Sequence, residues 1–323
     1  MKAVRLHEVG GPQNLVVDEV AQPQPQAGET LVRVHAAALN HRDVFITQGL
    51  YPNITLPCIL GADGAGEAGG KPALIDPTIN WGSDERAWQP AASILGVPLP
   101  GTFAQYVCVP DENVHEKPAH LSFEEAAALP LAGVTAFRAL FTRGELRPGE
   151  TLLITGIGGG VQTFVLLYAK AAGARVIVTS SSDEKLERAR ALGADIAINY
   201  KTDSDWHKSA RKAAGTIDIA VDSAGGDTFA KILTIVRPGG RVVTYGGTAG
   251  DAKIRMFPVF WNQLDIRGSS MGSPADFRAM LKFITEHQIK PVIDRVYELN
   301  EVIDAAQRMN EATQFGKIVL RIP

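Results

Sequence analysis

Apolar and polar positions divide the chain into two kinds of region. From about residue 121 to about 288, short apolar β-rich runs alternate with amphipathic segments of helical length. The first run, Thr151-Leu-Leu-Ile154, meets the glycine cluster Gly156-Ile-Gly-Gly-Gly160. A dense apolar segment to Lys170 follows and predicts a buried helix. Further runs lie at Arg175–Thr179, Asp195–Asn199, Ile217–Asp222, Arg241–Tyr245 and Leu264–Gly268, with a charged helix predicted over Asp183–Leu192. Strands alternating with helices predict a doubly wound parallel sheet of the Rossmann type, hence an α/β fold class.

The first hundred residues are patterned differently. Val4–Leu6, Leu15–Val20, Leu31–Ala36, Ile59–Gly61, Ala73–Ile75 and Phe103–Pro110 are short β-rich pieces separated by Pro, Gly and Gln. Such spacing predicts a small β-rich domain. Pro291–Leu299 and Gly316–Ile322 again predict strands, around the helix Asn300–Glu311, and are expected to return to that first domain. The expected division is therefore 1–120 with 289–323, and 121–288.

Composition narrows the function. Of the 323 residues 45% are hydrophobic and 21% charged, and the net charge is −3, so no basic face invites nucleic acid or an anionic membrane. Thr151–Ala169 carries no charge, but the glycines in its middle favour a strand-turn-helix over a membrane span. The start Met1-Lys-Ala-Val-Arg-Leu-His7 lacks the apolar core of a signal peptide, and two cysteines, Cys58 and Cys108, provide no disulfide framework. A reducing cytoplasm is the expected location.

The glycine cluster is where chemistry first becomes readable. Gly156, Gly158, Gly159 and Gly160, with Val161 beyond them, permit a tight turn and close backbone approach to a pyrophosphate at a helix N-terminus. About 20 residues on, an NAD-specific domain would carry an acid at the end of its second strand to hold the ribose 2′-hydroxyl. Ser180, Ser181 and Ser182 stand there instead, with Lys185 one turn along. Hydroxyl donors and a lysine suit a 2′-phosphate, so the expected cofactor is NADPH.

Over almost its whole length the chain resembles the medium-chain dehydrogenase/reductase superfamily, in its zinc-free quinone oxidoreductase-like branch. The resemblance rests on Asn40-His-Arg-Asp43, Gly49-Leu-Tyr-Pro52, Gly61-Ala-Asp-Gly-Ala-Gly66, Gly101-Thr-Phe-Ala-Gln-Tyr-Val107 and Glu125-Ala-Ala-Ala-Leu-Pro-Leu131. The glycine turn, Asn199-Tyr200, Asp222-Ser-Ala-Gly-Gly226, Pro238-Gly-Gly-Arg241 and Phe315-Gly-Lys317 complete it. It implies a GroES-like β-rich catalytic domain built from both termini and an active site in the cleft between the domains. Two departures stand out. Roughly a dozen residues are missing after Gly66, and Gln162 stands where relatives often carry Gly.

In the zinc enzymes of the superfamily, the catalytic ligands are Cys, His and Cys. The corresponding positions here look like Asp43, Ala62 (next to Asp63) and Leu131, and Ile79–Trp88 holds no cysteine cluster, so no zinc is expected. The resemblance further implies that Thr135 faces the nicotinamide and that Ser223 and Gly225 line the ribose. It places Tyr200 against the adenosine phosphate and gives backbone groups of Gly246, Gly247 and Thr248 to the carboxamide. Ser270 and Lys317 are further cofactor candidates.

Without a metal, a hydrogen-bond donor must stabilise the charge that hydride transfer places on the substrate oxygen. The catalytic candidates are Asn40 as donor, Tyr51 as donor or proton source, and Asp43 as orienting group. Phe45 and Trp261 would offer flat apolar surface to a conjugated substrate. The expected activity is NADPH-dependent reduction of a small quinone or α,β-unsaturated carbonyl. A C=C reductase of enals and enones remains open within the enzyme class, and an NADPH-binding sensor with little turnover outside it. An edge strand at Leu264–Gly268 makes a homodimer the expected assembly.

Overall fold

The computed structural model describes all residues from 1 to 323. They form two compact units: Met1–Val134 together with Gly272–Pro323, and Thr135–Met271. The units thus part at Val134/Thr135 and Met271/Gly272, so the helices Phe123–Ala127 and Pro274–Glu286 fall within the first. Packing explains this. The helix Pro274–Glu286 buries Phe277 completely, and its ring lies 4.9 Å from that of His115.

In the second unit, six parallel strands run in the order Ile196–Asn199, Arg175–Ser180, Thr151–Ile154, Ile219–Asp222, Arg241–Thr244, Asp265–Gly268. Leu153 pairs with Ile177 on one side and Ala220 on the other. Leu152, Leu153, Ile154, Val176, Ile177 and Val178 are at 0% exposure, as expected of parallel strands covered on both faces. Strand order reverses between Thr151–Ile154 and Ile219–Asp222. In such sheets the crevice at that reversal, at the carboxyl ends of the strands, is where ligands sit.

The first unit centres on the strand Glu29–Ala38 in a seven-stranded sheet. Its neighbours include Asp63–Ala68, Tyr106–Pro110 and the late strand Lys317–Arg321, in which Leu320 faces Ala37. The strand Ile293–Glu298 then pairs parallel to Lys317–Arg321, so early and late segments build one core, as expected. Val32, Val34, Ile75, Ile318 and Leu320 are buried at its centre.

Asp63–Ala68 was not among the predicted strands, because Gly and Ala have weak strand preference. Tertiary contact overrides that: a Cβ on Gly66 would fall 1.8 Å from the Arg33 carbonyl oxygen, so only glycine fits there. The shortened segment after Gly66 is a two-residue hairpin. Gly69 and Gly70 both have positive φ (56° and 77°) between paired Ala68 and Lys71. No helix of the chain is long and apolar enough to cross a membrane.

Candidate active site

In the first unit, three β-strands and two helices converge on a buried polar cluster. Asn40 ends the connection from Glu29–Ala38 and stands at the N-cap of the helix His41–Thr47. Asp63 opens one strand and Lys317 another. The three are 7%, 0% and 2% exposed, so their polar atoms must satisfy one another. Lys317 Nζ donates to Leu39 O at 2.8 Å, to Asn40 Oδ1 at 2.7 Å and to Asp63 Oδ2 at 2.8 Å. Asn40 Nδ2 donates to Asp63 Oδ2 at 2.9 Å. Asp63 Oδ1 accepts from the backbone N–H of Leu131 at 2.7 Å, and the Thr102 hydroxyl donates to the Asp63 carbonyl.

Asp43 lies beside this cluster, on the first turn of its helix. Its Oδ2 accepts from the backbone N–H of Asn40 at 2.7 Å, while its Oδ1 is buried without a hydrogen-bond partner. Burial pushes its carboxyl up to about 6, opposed by the Arg42 guanidinium 4.0 Å away. Arg42 is itself buried and gives hydrogen bonds to the carbonyls of Leu95 (2.6 Å) and Val97 (3.2 Å). It also lies over the ring of Tyr51, 4.9 Å from the centroid, with Nε 3.5 Å from the hydroxyl oxygen. Tyr51 is half-buried against the apolar core, and Phe45 on the same helix as Asp43 is 37% exposed.

Asn40, Asp43 and Tyr51 are thus linked directly or through Arg42. Lys317, a cofactor candidate from the sequence, gives all three of its ammonium hydrogens to acceptors inside the first unit. The sequence reading gave no role to Asp63. The signal was present, because an acid set among glycine and alanine in Gly61-Ala-Asp-Gly-Ala-Gly66 has no water and must meet a cation.

In the second unit the site is made mostly of backbone. Gly156 and Gly158 have φ of 68° and 138°. Gly156 N donates to Thr179 Oγ1 at 3.2 Å, and Ile157 N to Thr179 O at 2.8 Å. The helix Gly160–Ala171 follows with Gly159 at its N-cap and no side-chain cap, which leaves its first-turn N–H groups for a ligand. Lys185 folds over this turn: its Nζ lies 3.3 Å from where a Gly158 Cβ would stand. A cation and a glycine cradle at a helix start fit a dinucleotide pyrophosphate.

The three serines are not equivalent. Ser180 is buried and accepts from Ser182 N, Ser182 caps the helix Asp183–Ala191, and Ser181 is half-exposed. Tyr200 is 42% exposed, and its backbone N–H bonds Ser180 O. Asp222 accepts from the Thr155 hydroxyl and from Gly225 N (2.9 Å), which fixes the turn into Ser223 and Gly225. Gln162 Nε2 donates to Ser223 Oγ at 2.7 Å, so this departure spans the strand-order reversal with its side chain. Gly246, Gly247 and Thr248 form an exposed turn, in which Thr248 N bonds Ser223 O. Val161 lies on the first turn of the glycine helix and Thr135 is buried on the helix Pro130–Phe137, while Ser270 is exposed. Trp261 is 67% exposed and stacks on Phe257 within the helix Met256–Trp261 of this second unit; Phe45 belongs to the first.

Residues 26–119 match the alcohol dehydrogenase GroES-like domain family, and residues 160–286 match the zinc-binding dehydrogenase family. A zinc-type alcohol dehydrogenase-like protein, YogA of Leptosphaeria maculans, is 39% identical, with 95% of this chain and 94% of that protein covered. The acryloyl-coenzyme A reductase of Metallosphaera sedula is 28% identical over 99% of each chain. The crystal structure of an NAD-dependent alcohol dehydrogenase superposes with a TM-score of 0.92 at 36% identity, covering 100% of both chains. The metal in those family descriptions finds no ligand set here. No three His, Cys, Asp or Glu side chains come together to hold an ion, Ala62 and Leu131 have no donor side chains, and Asp63 is engaged by an ammonium. With both halves of the fold and their order accounted for, the chain is an oxidoreductase of the alcohol dehydrogenase-like medium-chain dehydrogenase/reductase superfamily.

Proposed function

We propose that this protein is an NADPH-dependent reductase of small quinones or α,β-unsaturated carbonyl compounds that works without a catalytic metal. The observation carrying the reading is the Asn40–Asp63–Lys317 cluster. It offers hydrogen-bond donors and a buried ammonium beside Ala62, a position that resembles that of a ligand in the zinc enzymes of the superfamily. When bound, the reduced nicotinamide supplies the hydride. The glycine turn and Lys185 hold the dinucleotide's phosphates, and the serines end the second strand without an acid to repel a 2′-phosphate. Asn40 donates to the substrate oxygen as negative charge builds there, and the Tyr51 hydroxyl delivers a proton or a second hydrogen bond. Asp43 holds Asn40's backbone.

The acryloyl-coenzyme A reductase relative supports C=C reduction of an enal or enone as the alternative outcome at the same groups. Steady-state oxidation of NADPH with a panel of quinones, enals and enones tests the proposal. Turnover with one of these classes in metal-free buffer supports it. Activity confined to zinc-loaded protein, or NADPH bound tightly with no acceptor reduced, overturns it.

A homodimer is proposed at the edge strand Asp265–Gly268. An antiparallel two-fold through Ile266 would set Asp265 opposite Arg267 of the second copy, beside the exposed aromatic helix Met256–Trp261. Light scattering on the purified chain gives the mass that decides it.

A further inference from the structure

We infer that Lys317 and Asp63 are positioning residues that lock the carboxamide of Asn40 in one orientation and leave it a single outward N–H. This rests on the reading of Asn40 as the donor to substrate. An asparagine carboxamide flanked by polar groups can usually be turned over, exchanging its oxygen and nitrogen. Here both flanks demand the same choice. An ammonium only donates, so the atom 2.7 Å from Lys317 Nζ is the oxygen. A carboxylate only accepts, so the atom 2.9 Å from Asp63 Oδ2 is the nitrogen. Reversal would set NH₂ against NH₃⁺ and an oxygen against a carboxylate, in a place closed to water.

Lys317 and Asp63 are themselves held. The other ammonium hydrogens go to Leu39 O and Asp63, and the second carboxylate oxygen takes the Leu131 N–H. Asn40 Nδ2 carries two hydrogens, of which Asp63 uses one. The remaining N–H has its direction set by four other groups. The ammonium behind the amide oxygen also draws electron density toward that oxygen, which makes the N–H a stronger donor to a developing oxyanion.

The experiment separates this role from simple charge neutralisation. Lys317→Met and Asp63→Asn each leave one charge buried alone and should lower the melting temperature. The double variant removes both charges and should recover most of the lost stability. Its kcat with the best quinone or enone acceptor should remain at least tenfold below wild type, about 1.4 kcal/mol, with the NADPH dissociation constant unchanged. A double variant that regains wild-type kcat along with its melting temperature overturns the inference. A second measurement stands without turnover. In protein labelled with ¹⁵N-asparagine, the side-chain signal lost in Asn40→Asp should exchange its hydrogens at least tenfold faster in the double variant. Unchanged exchange overturns the positioning role. Absent turnover in wild type, with that acceleration present, counts against the reductase reading alone.

Discussion

In the first unit, side chains are turned on one another around Asp63, and nearly every polar atom is consumed by a neighbour. In the second, the glycine turn has hardly any side chains, and its N–H groups are held in a bent backbone with no cap of their own. The two arrangements fail in different ways. Removing one member of the first strands a buried charge, so stability and chemistry suffer together. Adding a side chain to the second blocks a ligand while the sheet beneath it stays intact.

The largest effect should come from Asp63→Ala. It leaves the Lys317 ammonium buried without its counter-charge, and denaturant titration should show a loss of about 3–5 kcal/mol. A loss under 1 kcal/mol would mean that water reaches the cluster and would weaken the contrast. Next in size is the pH dependence of stability. Burial raises Asp43 to about 6 and Asp76 to about 7, so the native chain holds protons that the unfolded chain releases near pH 4. Stability should therefore fall as pH rises from about 4 to 7. Asp43→Asn and Asp76→Asn should each flatten part of that fall.

Gly158→Ala should weaken NADPH binding by about tenfold, since φ is positive there and the new methyl meets Lys185. Its melting temperature should change far less than that of Asp63→Ala; equal losses would erase the distinction between the two sites. Tyr51→Phe should lower kcat several-fold, the loss of about one hydrogen bond, with NADPH affinity kept. The smallest effect is expected from Lys185→Met. It should weaken NADPH and NADH alike about two- to fivefold in fluorescence titrations, and less at high salt, if its charge serves the shared pyrophosphate; a loss confined to NADPH would place it at the 2′-phosphate instead.

The second unit was the more legible of the two in sequence. Its strands are β-branched runs such as Arg175-Val-Ile-Val-Thr179, and five of the six strands have both ends within one residue of the expected ones. Ile217 and Asp218 precede the observed start of the remaining strand. In the first unit, the helix His41–Thr47 and the strand Asp63–Ala68 went unpredicted because long-range contact, rather than local preference, forms them. The same holds for the site. Asn40, Asp43 and Tyr51 could be singled out by their place in motifs, whereas the function of Lys317 depends on partners 277 and 254 residues away in sequence. A lysine at the head of the apolar strand Lys317-Ile-Val-Leu-Arg321 was the available hint, since such a position is rarely closed to water without an acid opposite.

That separation shapes how the protein can be made. The counter-charge of Asp63 leaves the ribosome only after the entire second unit has emerged. During synthesis the early strands therefore carry a carboxylate that they cannot enclose, and the parallel sheet is free to mature ahead of them. The second unit is thus complete along the polypeptide before the first, whose last strand begins with Lys317.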